Sequence, residues 1–488
     1  MADGLRVLYV TPELAPWIKT GGLGDVAQGL PAALARAGVD VRILVPAYRE
    51  MARAFPTANL LANFPEWGGA LAAAQLLVAE AAVPLYLLGC PAYYARRGAY
   101  QSPAGADWQD NHLRFGLLGR AAAALASGET PLDWMPDVLH CNDWQCGLGP
   151  AYLAHLGGPK AVAVSTVHNL SYQGIFPAAV LGELALPPGA FSIDGLEYHG
   201  SVSFLKSALF YSAKLTTVSP TYAKEMQSPR LGFGLDGLLR HRAADLVGIL
   251  NGIDAEAWDP ARDPHLARTY DAASLDDKAV DKAALQREFG LPEDPRIPLL
   301  GVVSRLVEQK GIDLVIAIAS ELAERGTQLI ALGSGQHDLE KALSGMAGRF
   351  PRAFAVRLGF SEALAHRIEA GVDMFLMPSR FEPSGLNQLF SMRYGTPPIV
   401  HRTGGLADSV MDADPAALEA GRATGFSFDT PTAGALLGAI DRALEIYRTP
   451  KRWRSLQRAA MARDFSWAAA APKYIEVYES ALAKAARG

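Results

Sequence analysis

Short, nearly all-apolar runs recur along the sequence, and the gaps between them are long enough to hold a helix. The first run, Arg6 to Val10, has the pattern of a parallel strand that helices cover on both faces. Further runs of this kind lie at 39–45, 83–88, 138–141, 161–167, 215–218 and 247–250. Because strands and helix-length segments alternate, the sequence predicts βαβ units around a parallel sheet.

A second series begins after a polar stretch at 253–298 that is rich in Asp, Ala and Pro. Its apolar runs, which alternate with the amphipathic segments 313–325 and 362–371, lie at 299–303, 328–332, 354–358, 374–377 and 398–400. The last segment, 466–486, has its apolar residues spaced along one face of a long helix, which can pack on either half. The pattern predicts an α/β chain of two doubly wound domains.

Composition narrows the classes of partner. Of the 488 residues, 50% are hydrophobic and 19% are charged, which supplies enough apolar material for two or three buried cores. The formal net charge of −5, without a run of like charges, argues against nucleic acid and an anionic membrane as partners. The three cysteines, Cys90, Cys141 and Cys146, lack the spacing of a zinc site and are expected to be buried free thiols.

No targeting or membrane segment is evident in the sequence. The amino terminus passes directly into an apolar strand, without the basic region and long apolar core of a secretory signal. No stretch approaches the ~20 apolar residues that span a bilayer. We therefore predict a cytoplasmic protein whose partners are small or neutral molecules.

Open parallel sheets bind ligands at the carboxyl ends of their strands, so two such domains in tandem predict a cleft between two sets of binding loops. The first candidate loop runs from Lys19 to Val26 and contains Gly21, Gly22 and Gly24. Its glycines allow backbone amides to approach a phosphate, and Lys19 supplies a full positive charge. A turn that binds nothing is the alternative.

The same loop matches the dinucleotide pattern G-x-G-x-x-A, which would indicate a nicotinamide enzyme. Two features argue against this alternative. Ten residues separate Val10 from Gly21 where that fingerprint requires a tight turn, and the second strand ends in Pro46 where a ribose-binding acid should stand.

Two further loops follow strands of the first half. Asp143 could accept sugar hydroxyls and Trp144 could offer an apolar face, although Asp143 could equally cap the next helix. His168, in the segment Thr166-Val167-His168-Asn169, comes at the end of the next strand and could bind a substrate hydroxyl. A core or surface role is the alternative for a single histidine.

The second half carries two more loops of this kind. Arg305 and Lys310 lie five residues apart between a buried strand and a helix, where they could bind a diphosphate. A solvated loop is the alternative. Glu382 follows another strand, and the amides of Ser384, Gly385 and Leu386 could face an anion, unless Glu382 only caps the following helix.

Taken together, these motifs resemble those of the bacterial and plant starch and glycogen synthases, a family of retaining GT-B glycosyltransferases. The resemblance covers essentially the whole chain. It includes the Lys19-Thr20-Gly21-Gly22 start, the loop around His168, and two further motifs, Asn251-Gly252-Ile253-Asp254 and Thr403-Gly404-Gly405-Leu406.

The resemblance implies a GT-B fold of two Rossmann-like doubly wound domains that face each other across a deep cleft. The first, acceptor-side domain would comprise residues 1–252 and a returning helix at 466–488, and the second, at 253–465, would bind the nucleotide sugar. By this resemblance, Lys19 and Gly22 would contact the donor, and Asp25, Asp143 and Asn251 would line the glucosyl and acceptor site. His168 would contact a sugar hydroxyl. Arg305 and Lys310 would stabilise the departing diphosphate, and Glu382 would position the glucose.

The implied reaction is transfer of glucose from ADP-glucose to the non-reducing end of glycogen or another α-1,4-glucan, with retention of configuration. Two positions depart from related patterns. Ser384 stands where the family commonly has a cysteine, which keeps a small residue. Phe390 stands where related transferases have a second glutamate, often assigned to ribose; starch and glycogen synthases also tend to lack that acid, so ribose recognition stays unassigned.

We predict no cofactor and no metal. The only match to a metal-binding D-x-D pattern, Asp412-Ala413-Asp414, follows no apolar strand and is interpreted as a turn. Without a second catalytic acid in these motifs, we favour front-side displacement, in which the leaving diphosphate takes the acceptor proton, over covalent catalysis by Glu382. The alternatives are another GT-B enzyme (sucrose synthase-like or an epimerase), a glucan phosphorylase, for which no pyridoxal lysine is evident, and a non-catalytic glucan-binding protein.

Overall fold

A computed structural model describes residues 4–103, 105–157 and 160–487. The predicted first domain includes Met1 to Asp3 and Gly488, which lie outside the described residues. The chain divides into two compact units, Met1–Gly252 with Trp467–Gly488, and Ile253–Ser466. Ser466, which the prediction places in the returning segment, lies in the second unit because its backbone pairs with that of Ile253.

The first unit contains a nine-stranded sheet and a small three-stranded sheet. Its strands are β1 (Arg6–Val10), β2 (Asp40–Pro46), β3 (Asn59–Phe64), β4 (Ala74–Ala79), β5 (Leu85–Gly89), β6 (Val138–Asn142), β7 (Val162–Val167), β8 (Ile175–Pro177), β9 (Glu197–Tyr198), β10 (Ser201–Ser203), β11 (Lys214–Thr217) and β12 (Leu246–Gly248). The large sheet has the order β12-β11-β7-β6-β1-β2-β5-β4-β3, and β8, β10 and β9 form the small one.

All seven predicted strands of the first half are present, and they pair in parallel. The antiparallel strands β3 and β4, which extend the sheet beyond β5, are absent from the prediction. Buried and exposed residues are interleaved along β3, which lacks the continuous apolar run of a central strand, whereas β4 contains the run Leu76-Leu77-Val78-Ala79, which the prediction missed. The short strands β8 to β10 carry no such run.

Helices cover this sheet, and the last helix of the chain belongs to the same unit. The helices are Gly22–Arg36, Arg49–Ala54, Pro91–Tyr94, Asn111–Ala126, Leu148–His155, Val180–Glu183, Phe204–Tyr211, Pro220–Glu225, Asp236–His241 and Trp467–Ala485. The final helix buries Trp467, Tyr474 and Tyr478. A Cβ atom at Gly29 would lie 2.0 Å from Nε1 of Trp467, so this glycine allows the first helix to approach the last one closely.

The second unit contains one parallel sheet, with strands β13 (Leu299–Val303), β14 (Gln328–Gly333), β15 (Phe354–Leu358), β16 (Met374–Met377), β17 (Pro398–His401) and β18 (Phe426–Phe428) in the order β15-β14-β13-β16-β17-β18. Its helices are Lys278–Glu288, Ile312–Ala317, Ala319–Glu324, His337–Arg349, Glu362–Gly371, Asn387–Arg393, Gly404–Ser409, Pro415–Glu419, Ala433–Tyr447 and Pro450–Met461. The predicted single helix at 313–325 is divided at Ile318, and strand β18 was not predicted, since Ser427 interrupts its apolar residues.

Strand order determines where each unit can bind a ligand. In both sheets the chain starts at a central strand, moves to one edge, and then returns to the other side of its starting strand. The switch points therefore lie between β1 and β6 in the first unit, and between β13 and β16 in the second. Ligands of doubly wound sheets bind beyond the carboxyl ends of the strands at such points.

Candidate functional sites at the strand ends of the two units

The buried side chain of Glu13 holds the glycine-rich loop after β1 by hydrogen bonds. One carboxylate oxygen of Glu13 accepts hydrogen bonds from the backbone N–H groups of Thr20 at 2.7 Å and Gly21 at 3.3 Å. The other accepts from the hydroxyls of Thr20 at 2.5 Å and Tyr100 at 2.6 Å. Two amides of the loop are thus already engaged, and the N–H groups left for an anion are those of the first helical turn, which begins at Gly22.

Lys19 and Asp25, two predicted site residues, form an ion pair. The ammonium group lies 2.7 Å from the Asp25 carboxylate, and each side chain is about one-third exposed. A Cβ atom at Gly24 would lie 3.2 Å from the Lys19 side chain, so this glycine leaves room for the lysine to lie across the helix start. The pair places one cation beside the free amides of the first turn.

Asp143 does not cap a helix by its side chain. It follows β6 with a φ of 55°, a left-handed conformation that is uncommon for a residue other than glycine. One carboxylate oxygen accepts hydrogen bonds from the backbone N–H groups of His168 at 2.7 Å and Asn169 at 3.4 Å. Desolvation raises the pKa of Asp143 to about 7, although these two N–H donors act in the opposite direction.

His168 is brought to Asp143 by the pairing of β6 with β7. Its Nε2 lies 2.9 Å from Oδ1 of Asn142, the last residue of β6. Burial lowers the pKa of His168 to about 3, so the ring is neutral at ordinary pH. The structure therefore joins two predicted site residues, Asp143 and His168, directly, and adds Asn142, which had no predicted role, as a partner of the ring.

Trp144 is half-buried and packs in a cluster of aromatic rings. Its ring centroid lies 5.1 Å from that of Phe115, 5.9 Å from that of Phe176 and 6.2 Å from that of Phe204. A Cβ atom at Gly174 would lie 2.3 Å from the indole. Part of the indole stays exposed beside this aromatic cluster, so contact of the Trp144 face with a sugar stays a prediction.

Asn251 follows β12, at the edge of the sheet, and is buried. Its Oδ1 has no hydrogen-bond partner within the described part of the chain. Among the described residues, no hydrogen bond joins Asn251 to Asp143 or His168. A buried acceptor without a donor is costly unless a ligand or water completes it.

In the second unit, Lys310 and Glu382 form the central ion pair. The Lys310 ammonium lies 2.5 Å from Oε2 of Glu382, and the Ser379 hydroxyl donates to the same oxygen at 2.9 Å. Glu382 is almost fully buried, whereas Lys310 is 18% exposed. The expectation that Glu382 only caps the next helix is wrong, because its carboxylate is committed to these two donors.

The loops that follow β13 and β16 are fastened to each other. Arg380 forms a two-pronged ion pair with Asp313, with both N–O distances at 2.7 Å, and its backbone N–H donates to the Gln309 carbonyl at 2.8 Å. Gly311 has a φ of +67°, and a Cβ atom there would lie 2.1 Å from the Pro378 carbonyl oxygen. This close approach holds Lys310 and Glu382 within bonding distance.

Arg305, on the same loop as Lys310, is exposed and forms no ion pair among the described residues. The N–H groups of Ser384, Gly385 and Leu386 likewise donate to no residue that the structure describes, and Gly385 has a φ of +65°. An unpaired guanidinium and a run of unpaired amides, at the switch point of the sheet, are groups that a phosphate can bind.

A glycine pair from a third loop supports this run of amides. The N–H group of Gly405 donates to the carbonyls of Glu382 and Pro383, each at 3.1 Å. A Cβ atom at Gly405 would lie 2.0 Å from the Ser384 carbonyl oxygen, and one at Gly404 would lie 2.1 Å from that of Glu382. Only glycine fits at these two positions.

The Asp412-Ala413-Asp414 segment does not form a cluster of metal ligands. Asp412 binds Arg442 and the Ser427 amide, and Asp414 caps the helix Pro415–Glu419 by accepting from the Ala417 amide at 2.8 Å. Over residues 4–103, 105–157 and 160–487 there is no group of three or more His, Cys, Asp or Glu side chains arranged for a metal ion. Cys90, Cys141 and Cys146 are buried free thiols.

Sequence reasoning missed the residues that position the site: Glu13, Asn142, Ser379 and Asp313. Each is polar, buried or half-buried, and lies within a few residues of a predicted site residue. A polar residue at the buried carboxyl end of a strand, such as Asn142, was the available signal. What each contacts could not be deduced, because the partners lie on other strands or loops.

Two family models match the chain. The model described as the starch synthase catalytic domain matches residues 6–241, and that described as glycosyl transferases group 1 matches residues 281–459. The glycogen synthase of Dechloromonas aromatica is 50% identical over 483 residues, which cover 99% of this chain and 99% of that protein. The chain belongs to the glycogen synthase family.

A solved structure agrees with this family assignment. The catalytic domain of starch synthase IV from Arabidopsis thaliana, bound to ADP and acarbose, is 32% identical, with a TM-score of 0.87 and coverage of 99% of this chain and 100% of that one. Sucrose-phosphate synthase from Thermosynechococcus elongatus, 18% identical with a TM-score of 0.60 over 98% and 99% of the two chains, shares the fold. The predicted family, the GT-B fold class and the glucosyltransferase class are confirmed.

Proposed function

We propose that this chain transfers glucose from ADP-glucose to the non-reducing end of glycogen or another α-1,4-glucan, with retention of configuration at the anomeric carbon. The observation that carries the proposal is the Lys310–Glu382 ion pair beside the unpaired Arg305, at the switch point of the second sheet. The proposal is further supported by 50% identity to a glycogen synthase over 99% of the chain.

The second unit supplies groups for the leaving diphosphate. Departure of the nucleotide leaves negative charge on the phosphates, which Arg305 and Lys310 stabilise as cations. The free amides of Ser384, Gly385 and Leu386 add hydrogen-bond donors with fixed orientation. The charge of both cations supports these roles, as does the absence of a competing partner for Arg305 and for these three amides among the described residues; Lys310 is also paired with Glu382.

The first unit supplies groups that contact the sugar and the donor. Lys19 and the amide of Gly22 contact the donor, and Asp25, Asp143 and Asn251 line the glucosyl and acceptor site. His168 binds a sugar hydroxyl. The unsatisfied Oδ1 of Asn251 and the neutral ring of His168 support hydrogen bonding to an uncharged ligand.

Glu382 positions the glucose and does not attack it. Its Oε2 accepts from both Lys310 and Ser379, which lowers the nucleophilicity of the carboxylate. Transfer with retention is then a front-side displacement, in which the bond to the diphosphate breaks as the acceptor oxygen bonds to the same face and gives its proton to the leaving phosphate. A glucosyl ester trapped on Glu382 by a slow substrate would contradict this mechanism.

The decisive assay incubates the full chain with labelled ADP-glucose or UDP-glucose and with glycogen. We expect longer glucan from both or from ADP-glucose alone, with ADP-glucose the better donor, and no loss of rate in EDTA. Release of free sugar, a disaccharide product or an epimerised nucleotide sugar would indicate another GT-B activity. Glycogen binding without turnover would indicate a glucan-binding protein.

Location is a separate prediction. No helix in the part of the chain that the structure describes has both the length and the apolar character needed to cross a bilayer. A cytoplasmic site of action stays a prediction, which fractionation of the source cells would test.

A further inference from the structure

Asn142 ends β6 with a fully buried side chain whose two polar atoms have different partners. Its Nδ2 donates to the carbonyl oxygen of Val10 at 2.9 Å. Its Oδ1 lies 3.1 Å from the Tyr9 hydroxyl and 2.9 Å from Nε2 of His168. Because a carbonyl oxygen cannot donate, Val10 determines the orientation of the amide and directs Oδ1 towards Tyr9 and His168.

This orientation determines which nitrogen of His168 carries the proton. An amide oxygen only accepts, so Nε2 of the neutral ring must be protonated and Nδ1 must carry a lone pair. None of the described residues donates to that Nδ1. The backbone of this residue is fixed as well, because the N–H of His168 donates to Asp143 at 2.7 Å.

We propose that Asn142 is a positioning residue that holds His168 in the Nε2-protonated tautomer, so that Nδ1 accepts a hydrogen bond from a hydroxyl group of the bound sugar. The proposal rests on the proposed function, since it takes the ligand at His168 to be a sugar. It assigns His168 the role of acceptor, where the opposite tautomer or an imidazolium would present a donor.

The surroundings of the ring keep it neutral. Three titratable groups are linked to His168: Asp143 bonds its backbone N–H, Tyr9 shares Oδ1 of Asn142 with its ring, and His140 interacts with it electrostatically. Burial lowers the pKa of His140 to about 3, as it does that of His168, and raises the pKa of Asp143 to about 7. Between pH 7.5 and 8.5 neither histidine is charged, so the tautomer can be observed without interference from protonation.

The first test measures the tautomer in the full-length wild-type chain labelled with 15N-histidine. The ring signals of His168 are assigned by their loss in His168→Gln. We expect a protonated Nε2 and an unprotonated Nδ1. A wild-type ring with its proton on Nδ1 would overturn the proposal, whatever the chain catalyses.

The second test compares three variants by the same spectra and by glucosyl transfer. Asn142→Leu removes the acceptor at similar volume, and we expect a mixture of tautomers and a fall in kcat/KM of about tenfold, the effect of losing one oriented hydrogen bond. Asn142→Asp keeps an acceptor oxygen and should keep the tautomer. Tyr9→Phe removes the other donor to Oδ1 and should change neither the tautomer nor kcat/KM by more than about twofold.

The pH profile separates positioning from a purely structural effect. The added carboxylate of Asn142→Asp raises the pKa of His168, so its rate should decrease on acidification at a higher pH than the wild-type rate does. A wild-type tautomer and rate in Asn142→Leu, or an unshifted profile in Asn142→Asp, would overturn the proposal. A chain that shows the expected tautomer but transfers no glucose would contradict the proposed function instead and, with it, the sugar-acceptor role.

Discussion

At the scale of single residues, the second unit separates two cations that the sequence places in one loop. Lys310 is paired with Glu382 and partly buried, whereas Arg305 is exposed and unpaired among the described residues. Through this ion pair Lys310 also holds the Glu382 carboxylate in position. An unpaired arginine gains a partner only when an anion binds. Removal of the two side chains should therefore have different effects on stability.

We expect Arg305→Ala and Lys310→Ala each to lower kcat at least 100-fold, because each removes a cation that we propose stabilises the departing diphosphate. Lys310→Ala should also lower the thermal midpoint by a few degrees, since it leaves the buried Glu382 carboxylate without its cation. Arg305→Ala should leave the midpoint unchanged. Steady-state rates and thermal unfolding measure both effects.

Two exposed residues of the same unit provide matched controls. Arg352→Ala and Lys341→Ala remove the same side chains from positions without ion pairs in the described structure, and both should retain wild-type rates. Near-normal turnover in Arg305→Ala and Lys310→Ala would remove these two residues from the leaving-group site.

His140, in the core of the first unit, makes folding depend on pH. Its pKa is lowered to about 3 by burial, below its ordinary 6.5, so between these values the unfolded chain binds a proton that the folded chain does not. Stability is therefore lost as the pH falls from 6.5, by about 1.4 kcal/mol per pH unit for this group. His168 acts in the same direction, and Asp143, whose pKa is raised, acts in the opposite one.

His140→Gln should reduce this loss, so that the unfolding free energy of the variant varies less between pH 6 and 4.5 than that of the wild type. Urea unfolding followed by the fluorescence of the first unit gives the two slopes. His337→Gln changes an exposed histidine and is the control. Parallel slopes for wild type and His140→Gln would show that His140 binds a proton in the folded state.

At the scale of elements, the site of the second unit depends on how three loops meet. The loop after β16 is bonded on one side to the loop after β13 and on the other to the helix Gly404–Ser409. No single loop holds Glu382, since its partners come from positions 310 and 379, and its carbonyl is bonded to Gly405.

Gly405→Ala should disturb this meeting point, because the added Cβ would lie 2.0 Å from the Ser384 carbonyl oxygen and must displace the loop. We expect kcat/KM to fall at least tenfold with a folded second unit, as measured by transfer assay and circular dichroism. Gly438→Ala is the control, since a Cβ there meets nothing within 4 Å, and it should stabilise its helix by up to about 1 kcal/mol. Full activity in Gly405→Ala would show that the loop tolerates this displacement.

At the scale of the whole molecule, the chain returns to its first unit with its last helix. Tyr478 on that helix lies 2.8 Å from Nδ1 of His140, and the other ring nitrogen lies 2.6 Å from the Thr166 hydroxyl. These two hydrogen bonds connect the last helix to β6 and β7 of the first sheet. Residues more than 300 positions apart in sequence become part of one core.

Tyr478→Phe should lower the unfolding free energy of the first unit by about 1–3 kcal/mol, because it leaves a buried ring nitrogen without a partner. Tyr474→Phe, one turn earlier, removes a buried hydroxyl that has no partner among the described residues, and should be neutral or stabilising. Chemical denaturation of the two variants gives the comparison. Equal losses would mean that the hydroxyl of Tyr478 contributes nothing specific.

Local pattern alone determined the central strands. Buried parallel strands are continuous apolar runs, and the runs at Leu299–Val303 and Met374–Met377 coincide with β13 and β16 residue for residue. The residues that follow each strand were identified for the same reason, since strand ends are visible in sequence and ligands of parallel sheets bind there. The half-exposed strand β3 was not predicted, because buried and exposed residues are interleaved along it and no continuous apolar run results.

Contacts between distant positions were decided only by the folded chain. The sequence presents Lys310 and Glu382 as separate candidates, and their bond across 72 positions depends on the order of β13 and β16 in the sheet. The tautomer of His168 depends on an amide that the neighbouring strand orients. A sequence records which groups can bond, whereas strand order and loop packing decide which of them come within 3 Å.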